Sequence, residues 1–274
     1  MALQENPQPA SMAIGERTRK LVTYDDVQLE VIAEGSGPLM VILPSRGRDS
    51  DDNDEIAAGI AEHGFRVLRP QPRGIGKSKG PMENLTLRDF AADVAHVIRS
   101  EGNGAAFVLG HAFGNFVARM TASMYPELIR GVIIAAAASR NYPQELSENV
   151  NKISNLSLPD EERLIYLQKT FFAPGNDASV WLHGWYPEVS KCQRQATLAT
   201  NKDEWWSCGT APILDLQAAN DPFRPPHTRN ELKEALGERV TVEVISNASH
   251  ALVPEQPQAV VRAVVSWAKK LLQG

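Results

Sequence analysis

Ala105-Ala106-Phe107-Val108-Leu109-Gly110-His111-Ala112-Phe113-Gly114 is the stretch on which the reading of the fold turns. Ala105 to Leu109 is apolar without a break, the mark of a strand buried on both faces. Two glycines then bracket three residues, and a helical pattern runs on to Tyr125-Pro126, where proline ends it. So sharp a turn brings the strand end against the helix start, leaving no room for side chains at 110 and 114. The central residue, Ala112, is then expected at positive φ, a strained conformation for an L-residue. Taken alone, the same pentad also fits a Gly-rich turn with no chemistry.

Outward from this point the chain alternates short β-branched runs with longer helical patterns. Lys20 to Glu34 reads as a hairpin turning at Asp25-Asp26, and Leu39 to Leu43 as a second buried strand. A helix pattern at Asp54 to His63 leads into a strand at Phe65 to Leu68. Thr86 and Asp89 form a helix start signal, and Leu87, Phe90, Val94 and Ile98 fall on one face of the helix it opens. Beyond the turn, Gly131 to Ala138 reads as a further strand.

The rhythm then breaks. From Ser139 to about Cys208 the pattern is helical without a buried strand run, and Pro143, Pro159, Pro174 and Pro187 divide it. It resumes with Ala211 to Ala218, a helix near Thr228 to Leu236, a strand at Val240 to Ile245 and a closing amphipathic helix carrying Val261, Val264, Ala268 and Leu271. Alternation of this kind specifies an α/β fold, a mostly parallel, doubly wound sheet with helices on both sides. The expected organisation is a flexible segment at 1–18, a core formed by 19–138 and 209–274, and a helical cap at 139–208. No internal repeat is visible.

Composition narrows the function classes. A formal net charge of -5 over 274 residues gives no basic footprint for nucleic acid and no polybasic membrane patch. No stretch reaches the roughly 20 apolar residues needed to span a bilayer. The first residues lack an apolar signal-peptide core, so the cytoplasm is the expected location. The two cysteines, Cys192 and Cys208, read as idle thiols rather than a disulfide. The histidines show no metal-ligand spacing, so no metal and no cofactor is expected. Gly74-Ile75-Gly76-Lys77-Ser78 is not a phosphate loop, because Gln71 stands where its first glycine belongs. A small-molecule substrate is the expected partner; a homodimer is left open.

Two loops bear on chemistry. Asp221 follows the strand ending at Ala218, and His250 follows the strand ending at Ile245. In open α/β sheets the carboxyl ends of strands line the ligand crevice. Either residue alone reads equally as a turn or a surface group. Together with Ala112 they give the order nucleophile position, acid, histidine.

These residues, spread from about 20 to 272, resemble the α/β-hydrolase superfamily with an inserted cap. Gly110 to Gly114 is similar to its G-x-S-x-G nucleophile elbow, with Ala112 in place of serine. Pro72-Arg73-Gly74-Ile75-Gly76-Lys77-Ser78 resembles a further loop of that family, and Leu43-Pro44-Ser45-Arg46-Gly47 takes the place of its oxyanion turn without the His-Gly. The resemblance implies that Asp221 orients His250, that His250 is the base, and that backbone N–H groups of Phe113 and of Ser45 or Arg46 face an oxyanion. Trp181, His183, Trp185 and Tyr186 are expected to line an apolar substrate pocket, and several of these aromatics read equally as packing that joins the cap to the core. Arg46 and Arg48, beside the oxyanion turn, either meet an anionic group or are solvated.

Alanine excludes an acyl-enzyme at position 112. Three alternatives stay open: an ester or lactone hydrolase whose serine was replaced, by engineering or naturally; a lyase, cyclase or isomerase using His250 and Asp221 without a covalent intermediate, or Ser45 as a displaced nucleophile; and a ligand-binding protein without turnover.

Overall fold

A computed structural model describes residues 17–102 and 104–273, so most of the segment expected to be flexible lies outside the described residues. Among the described residues, eight strands form one sheet. The antiparallel hairpin is β1 (Thr18–Tyr24) and β2 (Val27–Glu34), with Asp25 at φ 43° in its turn. β2 also pairs antiparallel with β4 (Arg66–Pro70). From β4 onward the sheet is parallel, through β3 (Leu39–Leu43), β5 (Ala106–His111), β6 (Ile129–Ala135), β7 (Ile213–Ala218) and β8 (Val240–Ile245). This is the doubly wound arrangement that the alternation of runs implies.

Helices cover both faces. On one face lie α1 (Asp54–Glu62) and the closing helix (Pro257–Gln273), whose Ile56, Ile60, Val261, Val264 and Trp267 share a core with Met40, Phe107 and Leu214 of the sheet. On the other lie α2 (Leu87–Glu101) and α3 (Phe113–Met124), packed through Val94, Ile98, Val117 and Met120 onto Val41, Val108 and Val132. Thr86 and Asp89 cap α2 reciprocally, as their spacing anticipates. β6 is shorter than its apolar run suggests. Ala136 turns to φ 48° directly after the strand, so Ala136 to Ala138 leave the sheet while staying buried.

Between β6 and β7 the described chain holds α4 (Gln144–Ile153), α5 (Asp160–Thr170) and α6 (Pro187–Leu198). Apolar residues of α4 and α5 form a separate cluster with Phe171, Trp181, Trp185 and Phe223. The loop from Pro72 to Ser78 is tied down from several sides. Arg73 grips Asp93 through two bonds of 2.9 and 2.8 Å, and Ser78 donates to the Gln71 carbonyl at 2.9 Å. Arg69, fully buried in β4, meets Glu34 at 2.7 Å and also Asp54. Both cysteines are buried and unpaired. No described helix is long and apolar enough to cross a membrane.

The candidate active site

The turn after β5 has the geometry its glycines require. A Cβ on Gly110 would stand 2.2 Å from the Gly114 carbonyl, and one on Gly114 would stand 2.4 Å from the Leu43 oxygen. Both neighbours are backbone, so neither position accepts a larger residue without moving the sheet end. Ala112 sits between them at φ 48°, ψ -111°. Its N–H donates to the Ala135 carbonyl at 3.0 Å, and its own carbonyl accepts from the Asn115 N–H at 3.1 Å and from the Asn115 amide. Phe113 opens α3, and the first N–H groups of a helix have no intrahelical acceptor.

The acid and the histidine come from the two neighbouring strand ends. Asp221 follows β7 in a tight turn, where the Arg224 N–H donates to its carbonyl at 3.1 Å and the Phe223 N–H to its Oδ1 at 2.8 Å. Arg224 reaches back to Asp215 of β7 at 2.8 Å and to Glu231 at 3.0 Å, pinning the turn to the strand it leaves. His250 follows β8, and its Nδ1 lies 2.9 Å from Asp221 Oδ2 with both side chains buried. The imidazole stacks on Phe223 at 4.0 Å between ring centres and meets the Phe171 edge at 5.1 Å. A carboxylate on Nδ1 fixes the neutral tautomer that keeps Nε2 as an acceptor.

A second histidine braces the first. Burial drives the His111 pKa down to about 3, so its ring is neutral, and Nε2 stands 2.8 Å from the His250 carbonyl, to which it donates. His111 thereby links the residue before Ala112 to the loop that carries His250.

These elements enclose a cavity of about 380 Å³ lined by Ser45, Arg46, Ala112, Phe113 and His250. Of the residues singled out in the sequence, these five therefore line one cavity, with Asp221 bonded to His250. The aromatic residues expected to join them do not. Trp181, His183, Trp185 and Tyr186 are absent from the lining. Trp181 and Trp185 are buried against Phe171, while the Arg48 guanidinium lies 4.9 and 5.0 Å from their ring centres. Arg48 is neither solvated nor open to a ligand. It binds Asp52 at 2.6 and 2.7 Å and also donates to the His183 carbonyl. The Tyr186 N–H donates to the Gly47 carbonyl at 2.9 Å. The two tryptophan rings are thus spent on a buried cation that fastens the 139–208 segment to the loop after β3.

Other residues take their place. Phe116, Phe171, Phe223 and Val150 add apolar surface to the lining, and Asn115, Tyr142, Ser147 and Arg194 add polar groups. Asn115 has a local signal, three residues beyond Ala112 at the first turn of α3. Tyr142, Ser147 and Arg194 have none, since they come from a segment whose placement no spacing reveals.

Residues 41–263 match the alpha/beta hydrolase family, and the chain belongs to it. Over 268 residues it is 26% identical to BpoC of Mycobacterium tuberculosis, covering 90% of this chain and 97% of that one. It is 30% identical to a 2-(acetamidomethylene)succinate hydrolase from Mesorhizobium japonicum over 124 residues, which is 45% of this chain and less than half (44%) of that relative. The crystal structure of an enol-lactonase from Burkholderia xenovorans superimposes with a TM-score of 0.74 at 20% identity, covering 91% of this chain and 100% of that one. At that identity the likeness is one of fold.

Proposed function

We propose that this chain carries the site of an acyl hydrolase for an ester or lactone with a small apolar body. Ala112 stands at its nucleophile position, and residues 139–208 form a helical cap over it. The observation that carries this reading is the 2.9 Å bond between His250 and Asp221 at the wall of a cavity that Ala112 also lines. In such a site the acid holds the imidazole, the imidazole takes a proton, and N–H groups of Phe113 and of Ser45 or Arg46 receive the oxyanion. The 2-(acetamidomethylene)succinate hydrolase among the similar proteins supports hydrolysis as the reaction class.

A methyl group neither attacks a carbonyl nor passes on a proton. Loss of a serine nucleophile costs about six orders of magnitude in rate, leaving ~10³ to 10⁴ over water. The expected outcome is that Ala112→Ser releases nitrophenol from p-nitrophenyl acetate at least about a hundredfold faster than the parent chain. A folded Ala112→Ser protein with no gain overturns the hydrolase reading.

Ala112 itself favours a second reading. Without a covalent step, the same pair would draw a proton directly from water or from a substrate carbon, as in a lyase, cyclase or isomerase. Any native turnover that survives His250→Ala rules this out.

A further inference from the structure

We infer that the substrate carries a carboxylate, which Arg46 binds at the cavity wall with Arg194 at the rim. This rests on the reading of the cavity as the substrate site. Its lining contains Arg46, Arg194 and His250 but, among the described residues, no aspartate or glutamate. A chain of formal net charge -5 therefore presents a cationic pocket.

Arg46, half-buried at the cavity, lacks what the buried arginines have. Arg48, Arg69, Arg73, Arg163 and Arg224 each meet a carboxylate. Arg119 has none but lies 4.5 Å from the Trp206 ring centre and donates to the Trp206 carbonyl at 3.2 Å. The Arg46 guanidinium donates to Asn151 Oδ1 at 2.9 Å, a neutral acceptor, and its buried Nε has no partner among the described residues. Burial, with Arg194 nearby, lowers its pKa to about 10. No carboxylate among the described residues meets this guanidinium, and its fork of donors matches a carboxylate in shape. The hydroxyls of Tyr142 and Ser147, 3.2 Å apart in the same lining, offer further donors. Around them the wall is Phe116, Val150, Phe171 and Phe223, which suits a short apolar chain between the carboxylate and the reacting carbonyl.

The test compares monoethyl glutarate, a monoanion, with neutral diethyl glutarate by calorimetric titration of the chain as it stands. The monoanion should bind about tenfold or more tighter, as expected for a hydrogen bond between charged groups. Arg46→Met should erase that preference, and Arg46→Lys should recover only part of it, because an ammonium lacks the fork. Arg194→Gln, at an exposed position, should cut the preference several-fold and serves if Arg46→Met does not fold. Equal affinity, no binding of either ester, or a preference indifferent to both arginines overturns the inference. A preference that stands while Ala112→Ser hydrolyses nothing upholds the carboxylate site and overturns the hydrolase reading. Hydrolysis without a preference does the reverse.

Discussion

Arg224→Met probes the buried ion pair that holds the acidic residue of the site. Arg224 and Asp215 are 1% and 0% exposed and bond at 2.8 Å. The same arginine closes the turn on Asp221 through its backbone N–H. Without the guanidinium, Asp215 keeps only the Gln217 amide at 2.8 Å, and burial already pushes its carboxyl pKa up. Stranding one partner of a buried pair costs about 3–5 kcal/mol. Unfolding entropy near ~2.1 cal/mol/K per residue over this length converts that to a drop in Tm of about 5–9 °C. Removing both charges in Asp215→Leu/Arg224→Met should restore most of the loss, since neither charge is then left unpaired. Thermal unfolding of the parent, the single and the double variant at neutral pH, followed by circular dichroism, reads this directly. In the Ala112→Ser background the single variant should also lose turnover, because the Asp221 turn loosens. A single variant within about 1 kcal/mol of the parent, or a double variant worse than the single, would refute the reasoning.

Two further outcomes rest on the same geometry. Gly114→Ala forces a methyl group to 2.4 Å from the Leu43 oxygen and 2.8 Å from that of Pro44, so β3 and the Ser45 turn must move. It should cost about 1–3 kcal/mol and disturb the site, as a urea titration would show, whereas Gly102→Ala, at φ 68° with open space around it, should cost about 1 kcal/mol of backbone strain alone. His111 is neutral when folded and takes up a proton below pH 6.5 when unfolded, so its stabilisation is whole above that pH and is lost as pH falls toward 3. Relative to His111→Gln, the parent should lose about 2 kcal/mol between pH 7 and pH 5 in urea unfolding, and parallel pH profiles would sink the assignment.

Legibility tracks the range of the forces involved. Continuous apolar runs mark β3 and β5, because strands buried on both faces leave no alternation to confuse them. Glycine spacing locates the turn at Ala112, since backbone contacts inherent in any such turn exclude side chains at Gly110 and Gly114. Asp221 and His250 can be read from the chain because strand ends converge whatever the intervening length. The cavity lining is not legible. Trp181 and Trp185 are aromatic for a reason that the sequence also contains, Arg48, but the Arg48–Trp181 contact spans 133 residues. The end of β6 escapes the apolar run for a local reason: alanines at 136 to 138 stay buried after the backbone has turned away.

The conformation at Ala112 is imposed from outside its own side chain. The close approach of Gly110 and Gly114, the bond from its N–H to Ala135 and the bonds from Asn115 to its carbonyl fix the backbone there. A non-glycine residue in such a region costs about 1–3 kcal/mol, and the surrounding structure already bears that cost with alanine in place. Serine adds one oxygen at the cavity wall to a backbone that need not change. Ala112→Ser is therefore a test of chemistry rather than of folding. If it stays inert with the His250–Asp221 pair in place, the missing element is not the nucleophile: either the pair works on water or on the substrate itself, or the cavity holds its ligand without turnover.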